Sequence, residues 1–240
     1  MDDQKVRISK LLTEQNICSR TKAEKWVEQK YIRANGKIID KPEHKINIHD
    51  FILIDQKAFV ELQNQKTVIL NKPVNYVSSF DDPKYEQAVR LINKANFAGP
   101  TYLEKDGPSF QSTLGVVGRL DADSRGLLLF TQDGSFAKSI IGPESHVEKE
   151  YEVKVNGRIT DEKLRLLRFG LKLDDQALKK AVVEEIQPKT LKFILTEGKK
   201  RQIRRMCKAV DLEVLDLKRI RIGDISLPKD LEEGQWIYLD

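Results

Sequence analysis

Cysteine is scarce, with only Cys18 and Cys207 in 240 residues, far apart and without a CxxC. That usage suits a reducing compartment, so a cytoplasmic location is expected. The three histidines, His44, His49 and His146, are scattered without ligand spacing, so no metal site is expected. Neither a glycine-rich phosphate loop nor a dinucleotide fingerprint occurs. A charged-then-apolar leader and a long apolar span are missing too, so no membrane association is expected. Any chemistry must come from side chains, without a cofactor.

What is present is a core and two concentrations of positive charge. A hydrophobic content of 40% in 240 residues allows one large domain, or a small and a medium one. Net charge is only +5, yet residues 5–41 hold ten Lys/Arg against four Asp/Glu, and residues 189–222 hold eleven against four. Two basic patches point to a polyanionic partner; the alternative is a pair of solvated faces.

Polarity and apolarity meet most abruptly at 117–134, VGRLDADSRGLLLFTQDG. Gly118 and Gly126 bracket a polar stretch that reads as a loop, and Leu127 to Phe130 form a short apolar run that suits a buried strand. A loop held by such a strand keeps its side chains fixed, as catalysis needs. The Asp121/Asp123 pair has three readings. Both carboxylates could be turn formers bonded to backbone or to Arg119 and Arg125, or metal ligands lacking companions, or one could be a nucleophile or base beside an arginine.

The spacing of Val6, Ile8, Leu11 and Leu12 predicts a first helix, and the Thr21-x-x-Glu24 box a second, carrying Ala23, Trp26 and Val27. Asn35/Gly36 predicts a hairpin between residues 31–33 and 37–39, and 46–54 reads as one strand. Polar residues near 60–66 read as a linker. Thr67 to Leu70 predicts a strand, residues 84–96 an amphipathic helix through Ala88, Leu91, Ile92 and Ala95, and 99–115 a loop. A helix over 135–141, a strand over 149–155 with Tyr151, Val153 and Val155 on one face, a helix near 164–167 and strands over 181–186 and 190–196 follow. In GKKRQIRRMCKAV, Ile203, Met206, Cys207 and Val210 fall on one helix face. The cations around that helix's start oppose its dipole, which suggests anions placed there, phosphates or a carboxylate.

The stretch around Asp121 closely resembles the catalytic motif of the bacterial ribosomal RNA pseudouridine synthases that carry an S4 domain. Three further segments agree: Asn71-Lys72-Pro73, Glu148-Lys149-Glu150-Tyr151 and the Gln202-Ile203-Arg204 helix, the last with LKRIRIGDISL looking most like the large-subunit branch. Asn75 replaces the family's glycine, and Ser78/Ser79 stand where threonine is usual. The resemblance implies an α+β chain, with an S4-like RNA-binding domain over 1–62 and a mixed, mainly antiparallel-sheet catalytic domain over 66–240. It also implies isomerisation of a uridine in structured RNA, 23S rRNA or another RNA such as tRNA, by a monomer.

Asp121 then resembles the catalytic aspartate, Arg204 the arginine that pairs with it, Tyr151 the tyrosine lying against the base and Leu217 the apolar residue beneath it. Arg119 would help fill the space the base vacates, and Lys72, Arg201 and Arg205 would also contact substrate. On the S4-like half, Arg7, Ser19, Arg20, Lys22, Lys25 and Arg33 would face RNA. The competing readings are a non-catalytic S4-type RNA-binding protein and a hydrolytic base-excising enzyme.

Overall fold

The computed structural model describes residues 5–15, 17–78, 82–100 and 113–239. The chain divides into two compact units, Met1–Thr67 with Thr131–Lys138, and Val68–Phe130 with Ser139–Asp240. Among the described residues no helix is long and apolar enough to cross a membrane.

The first unit runs β1 (Lys5–Arg7), α1 (Ile8–Glu14), α2 (Arg20–Glu28), β2 (Ile32–Ala34), β3 (Lys37–Ile38), β4 (Lys45–Asn47), β5 (Ile52–Ile54) and α3 (Gln56–Gln63). Ile8, Leu11 and Leu12 on α1 meet Ala23, Trp26 and Val27 on α2 in a buried core completed by Ile32 and Ile46. Both triplets follow the i, i+3, i+4 spacing of one helix face.

Several expected boundaries move. Val6 belongs to β1, and the cap of α2 is Ser19, whose Oγ accepts from the Lys22 N–H at 3.4 Å, so the Thr21 box lies inside the helix. The Asn35/Gly36 hairpin forms with both residues at positive φ, 49° and 80°, as a tight two-residue turn requires. The single strand expected over 46–54 is two strands. The Asp50 carboxylate accepts from the Asn47 N–H at 2.9 Å and the Asn47 side chain from the His49 N–H at 3.0 Å, folding a turn between β4, which pairs with β1, and β5, which pairs with β2. The expected linker begins inside α3, which Asp55 caps and which a Lys22–Glu61 ion pair of 2.8 Å ties to α2.

The rest of the chain runs β6 (Thr67–Lys72), β7 (Tyr76–Val77), β8 (Glu86–Gln87), β9 (Gly115–Val117), β10 (Arg125–Thr131), α4 (Gly134–Ile141), β11 (Lys149–Asn156), α5 (Asp161–Arg168), β12 (Lys172–Leu173), β13 (Gln176–Ala177), β14 (Val182–Gln187), β15 (Thr190–Leu195), α6 (Gln202–Ala209), β16 (Glu213–Ile222), β17 (Ile225–Ser226) and β18 (Trp236–Tyr238). One sheet organises the second unit in the order β14-β15-β11-β16-β10-β6-β18, with β9 on β10 and β17 on β16. β10 and β16 are parallel, whereas β11 is antiparallel to both β15 and β16.

The apolar run Leu127 to Phe130 is buried throughout, as a central strand demands. Buried Ile203, Met206 and Cys207, with Val210 at the C-cap, give α6 its core face. The helix expected over 84–96 is instead two short 3-10 turns, Ala88–Leu91 and Lys94–Asn96. Asn93 splits them, its side chain accepting from the Asn96 N–H at 3.1 Å and donating to the Arg90 carbonyl at 3.0 Å, so side-chain bonds replace the helical ladder. Of the loop expected over 99–115, residues 101–112 lie outside the described residues, as does Ser79.

Candidate active site

The loop between β9 and β10 carries Asp121, and its backbone is tied down along its whole length. Arg219 Nη2 donates to the Gly118 carbonyl at 2.7 Å and Nη1 to that of Arg119 at 3.4 Å. Buried Ser78 donates to the Leu120 carbonyl at 2.7 Å and accepts from the Leu120 N–H at 2.9 Å. The Ser124 N–H reaches the Asp121 carbonyl at 3.1 Å, the Asn75 N–H that of Ala122 at 2.8 Å, and Arg204 Nη2 that of Asp123 at 2.6 Å. Each carbonyl from Gly118 to Asp123 therefore accepts a hydrogen bond, and a loop so tethered holds its side chains in one place.

Particular residues make this possible. Asn75 sits at φ 66°, so it keeps the left-handed turn in which the resembled family has glycine. Gly126, at φ +100°, lies where a Cβ would collide with the Arg219 carbonyl oxygen, so only glycine lets β10 approach β16 there.

The tethered loop forms one wall of a cleft of about 770 Å³, lined among others by Arg119, Leu120, Asp121, Tyr151, Leu217 and Arg219. Tyr151 and Leu217, both largely buried, project from adjacent strands β11 and β16. Arg219 is 1% exposed. Besides its loop contacts it donates from Nε to the Leu127 carbonyl at 2.8 Å, and it lies beside the Tyr151 hydroxyl. Burial presses the Arg219 guanidinium below the ordinary arginine range, and Tyr151 opposes that shift. Arg219 is thus the buried bolt between the aspartate loop and the tyrosine, and sequence reasoning missed it. The signal was its place two residues after Leu217 on a strand, where the pleat puts both on one face.

The two carboxylates separate cleanly. Asp123 is gripped by Arg201, with Nη2 at 2.8 Å and Nη1 at 3.1 Å, and lies 3.3 Å from Arg204 Nε. Burial would raise the Asp123 pKa, but the Arg201 hydrogen bonds and the Arg204 and Arg201 charges outweigh it and hold the carboxyl below its usual range. Asp121 faces the cleft, its nearest ion-pair contact being Arg201 Nη1 at 4.0 Å. Arg125 pairs instead with Asp216, at 2.8 and 2.7 Å, and with Glu233 at 2.6 Å, so it belongs to neither aspartate.

Other expected site residues fall in unexpected places. Arg204 lines the cleft but its contacts are Asp123 and the Val214 carbonyl at 3.2 Å, so the expected Arg204–Asp121 pair is not formed. Arg201, in the left-handed conformation at φ 52° just ahead of α6, is the arginine aimed between the two aspartates. The anion awaited near the start of α6 is therefore a carboxylate of the loop itself. Arg205 pairs with Asp174 at 2.6 and 3.0 Å, away from the cleft.

Lys72 is fully buried, and its Nζ donates to the Pro73 and Tyr76 carbonyls, both at 2.8 Å. It is a strut of the turn that carries Asn75, not a cleft residue. Burial pulls its pKa down to about 8, against the pull of the Asp123 and Asp121 charges. In the first unit Ser19 is occupied as the cap of α2, Lys22 by Glu61 and Arg20 by Glu24 at 3.0 Å, while Arg7 and Arg33 are exposed.

A pH-dependent outcome follows from Asp123. A carboxylate with a depressed folded pKa adds stability that is present above its unfolded value, about 3.9, and is lost as pH falls through the lower folded value. Arg204→Met is expected to lower the urea midpoint at pH 7, and the share of that deficit owed to Asp123 should begin to shrink below about pH 4 and vanish once pH is below the folded value. The share owed to the two carbonyls would persist. A deficit unchanged from pH 7 to pH 3 would refute the ion pair.

Residues 66–209 match the RNA pseudouridylate synthase model, and residues 6–52 match the S4 domain model. The chain belongs to the RNA pseudouridylate synthase family. The synthase is 35% identical to "Ribosomal large subunit pseudouridine synthase B" of Buchnera aphidicola subsp. Schizaphis graminum over 98% of this chain and 90% of that protein. It is 32% identical to "Dual-specificity RNA pseudouridine synthase RluF" of Escherichia coli K12, covering 98% and 76% of the two chains. A crystal structure of a pseudouridylate synthase superposes with a TM-score of 0.66 at 26% identity, covering 98% of the synthase and 96% of that chain. The synthase therefore isomerises uridine in RNA, and a purely RNA-binding role is set aside.

Proposed function

We propose that the substrate is a specific uridine of structured large-subunit ribosomal RNA, and that Asp121 carries the chemistry. The carrying observation is the contrast between the carboxylates: Asp123 is engaged by Arg201 and Arg204, while Asp121 is presented to the cleft on a fully tethered loop. The name of the Buchnera relative supports a ribosomal target, with transfer RNA as the second candidate. A cytoplasmic location accords with such a substrate, and a monomer suffices because one chain supplies the whole cleft.

The target nucleotide leaves its stack and enters the cleft, where Tyr151 and Leu217 hold the base and Arg119 helps fill the vacated space. Asp121 promotes cleavage of the N1–C1′ bond, the base turns while held, and C5 joins C1′. C5 gives up a proton and N1 gains one, so the product is an isomer and no free uracil appears. Release of uracil would instead mark a hydrolytic enzyme. Pseudouridine mapping in ribosomal and transfer RNA, from cells with and without the gene, tests the assignment. A map identical in both would reject it.

The basic excess over residues 5–41 makes the first unit an RNA grip in this reading. Replacing Arg7, Arg20 and Lys25 together by alanine should reduce the slope of log affinity against log salt by about 2 to 3, because each phosphate contact contributes roughly 0.7 to 0.9. An unchanged slope would remove these residues from the RNA surface.

A further inference from the structure

Lys149 opens β11 two residues before Tyr151 and lines the same cleft, only 9% exposed. Its Nζ donates to the Val147 carbonyl at 3.0 Å. Among the described residues it makes no other hydrogen bond and no ion pair, so two of the three ammonium hydrogens have no protein acceptor. Its charged neighbour is Arg219, of the same sign, and burial together with that repulsion holds the Lys149 pKa below its ordinary value.

Several arginines of the same unit are treated differently: Arg201 has Asp123, Arg205 has Asp174, Arg125 has Asp216 and Glu233, and Arg221 has Glu148 and Glu150. A buried ammonium without a counter-charge is costly unless something else satisfies it. The cleft thus keeps an unanswered donor beside the tyrosine, prepared for an electron-rich guest.

We propose that Lys149 binds the flipped uracil, donating to one of its carbonyl oxygens and holding the negative charge that gathers on the base as the N1–C1′ bond breaks. This rests on the isomerase reading above. When that bond breaks with its electron pair left on N1, the charge spreads over O2 and O4, and a fixed, largely buried ammonium stabilises it more than it does the neutral base. A phosphate is the weaker candidate, because exposed Lys200 and Arg201 serve a backbone better than a cation buried beside Tyr151. An ammonium has donors only, so it also favours the O4 acceptor of uracil over the amino group of cytosine.

The test is a cycle between side chain and base. Wild type and Lys149→Met are compared on a synthetic stem-loop centred on the mapped uridine, made with uridine, 4-thiouridine or 2-thiouridine at that position. On uridine, Lys149→Met should slow single-turnover isomerisation roughly 10- to 100-fold, the loss expected of one charge-assisted hydrogen bond, with affinity changed less than about 3-fold. At one of the two thio positions, sulfur should slow wild type yet leave Lys149→Met unchanged, because the contact it weakens is already gone.

Additive effects at both positions would overturn the proposal, as would a Lys149→Met enzyme with wild-type rate and weakened affinity, which would make Lys149 a phosphate contact. Lys149→Gln, which keeps a donor and much of the volume, carries the same cycle if the methionine variant does not fold. A wild type that forms no pseudouridine in the stem-loop would instead sink the isomerase reading itself.

Discussion

Asp121→Asn is expected to abolish pseudouridine formation while leaving RNA affinity within about 1 kcal/mol of wild type, because RNA binding is spread over many phosphate contacts and the carboxylate acts only on the reacting bond. The fold should tolerate the change, since the loop is held through its backbone by Ser78, Asn75, Arg204 and Arg219 and not through the Asp121 side chain. Asp123→Asn is the informative partner. The amide keeps one acceptor for Arg201, and the Arg204 bond to the Asp123 carbonyl survives, so turnover should fall but remain measurable. Single-turnover rates with saturating enzyme, beside affinities from filter binding, decide between them. An inactive Asp123→Asn and a fully active Asp121→Asn would exchange the two roles.

That division of labour shows where the sequence was legible. Asp121 could be singled out because its motif is long and in register with the resembled family, and the α6 core face because four apolar residues repeat at helical spacing. The partner of Arg204 could not. Asp121 and Asp123 are two residues apart, and which of them meets a guanidinium depends on the turn between them and on the left-handed backbone of Arg201, neither visible in local pattern.

Two of the missed boundaries share a cause. Asn47, Asp50 and Asn93 bond neighbouring backbone groups and interrupt elements that apolar periodicity alone would continue. Lys72 and Lys149 carry the same lesson for charge: lysine is read as a surface residue, yet both are buried, one donating to two backbone carbonyls and the other to one.

Arg219 gives the other large expected effect. Its run, Lys218-Arg219-Ile220-Arg221, holds three cations in four residues, and the pleat turns Arg219 inward with Leu217. Arg219→Met fills similar volume and removes three hydrogen bonds at once, leaving the Gly118, Arg119 and Leu127 carbonyls without this donor, and it takes the guanidinium away from the Tyr151 hydroxyl. Loss of a buried hub of this kind should destabilise the second unit by about 3 to 5 kcal/mol, read as a lower urea midpoint. The remaining folded enzyme should turn over at least about 100-fold more slowly, because a shift of the loop by about 1 Å carries Asp121 out of reach of the base.

Lysine at this position should rescue little, since one ammonium cannot span carbonyls that the guanidinium fork bridges from both sides. Rates are compared at a temperature where every variant is folded, with affinity measured in parallel, so that lost stability is not mistaken for lost chemistry. A folded Arg219→Met enzyme with wild-type turnover would show that the aspartate loop holds its place without the buried arginine, and that Ser78, Asn75 and Arg204 suffice to aim Asp121.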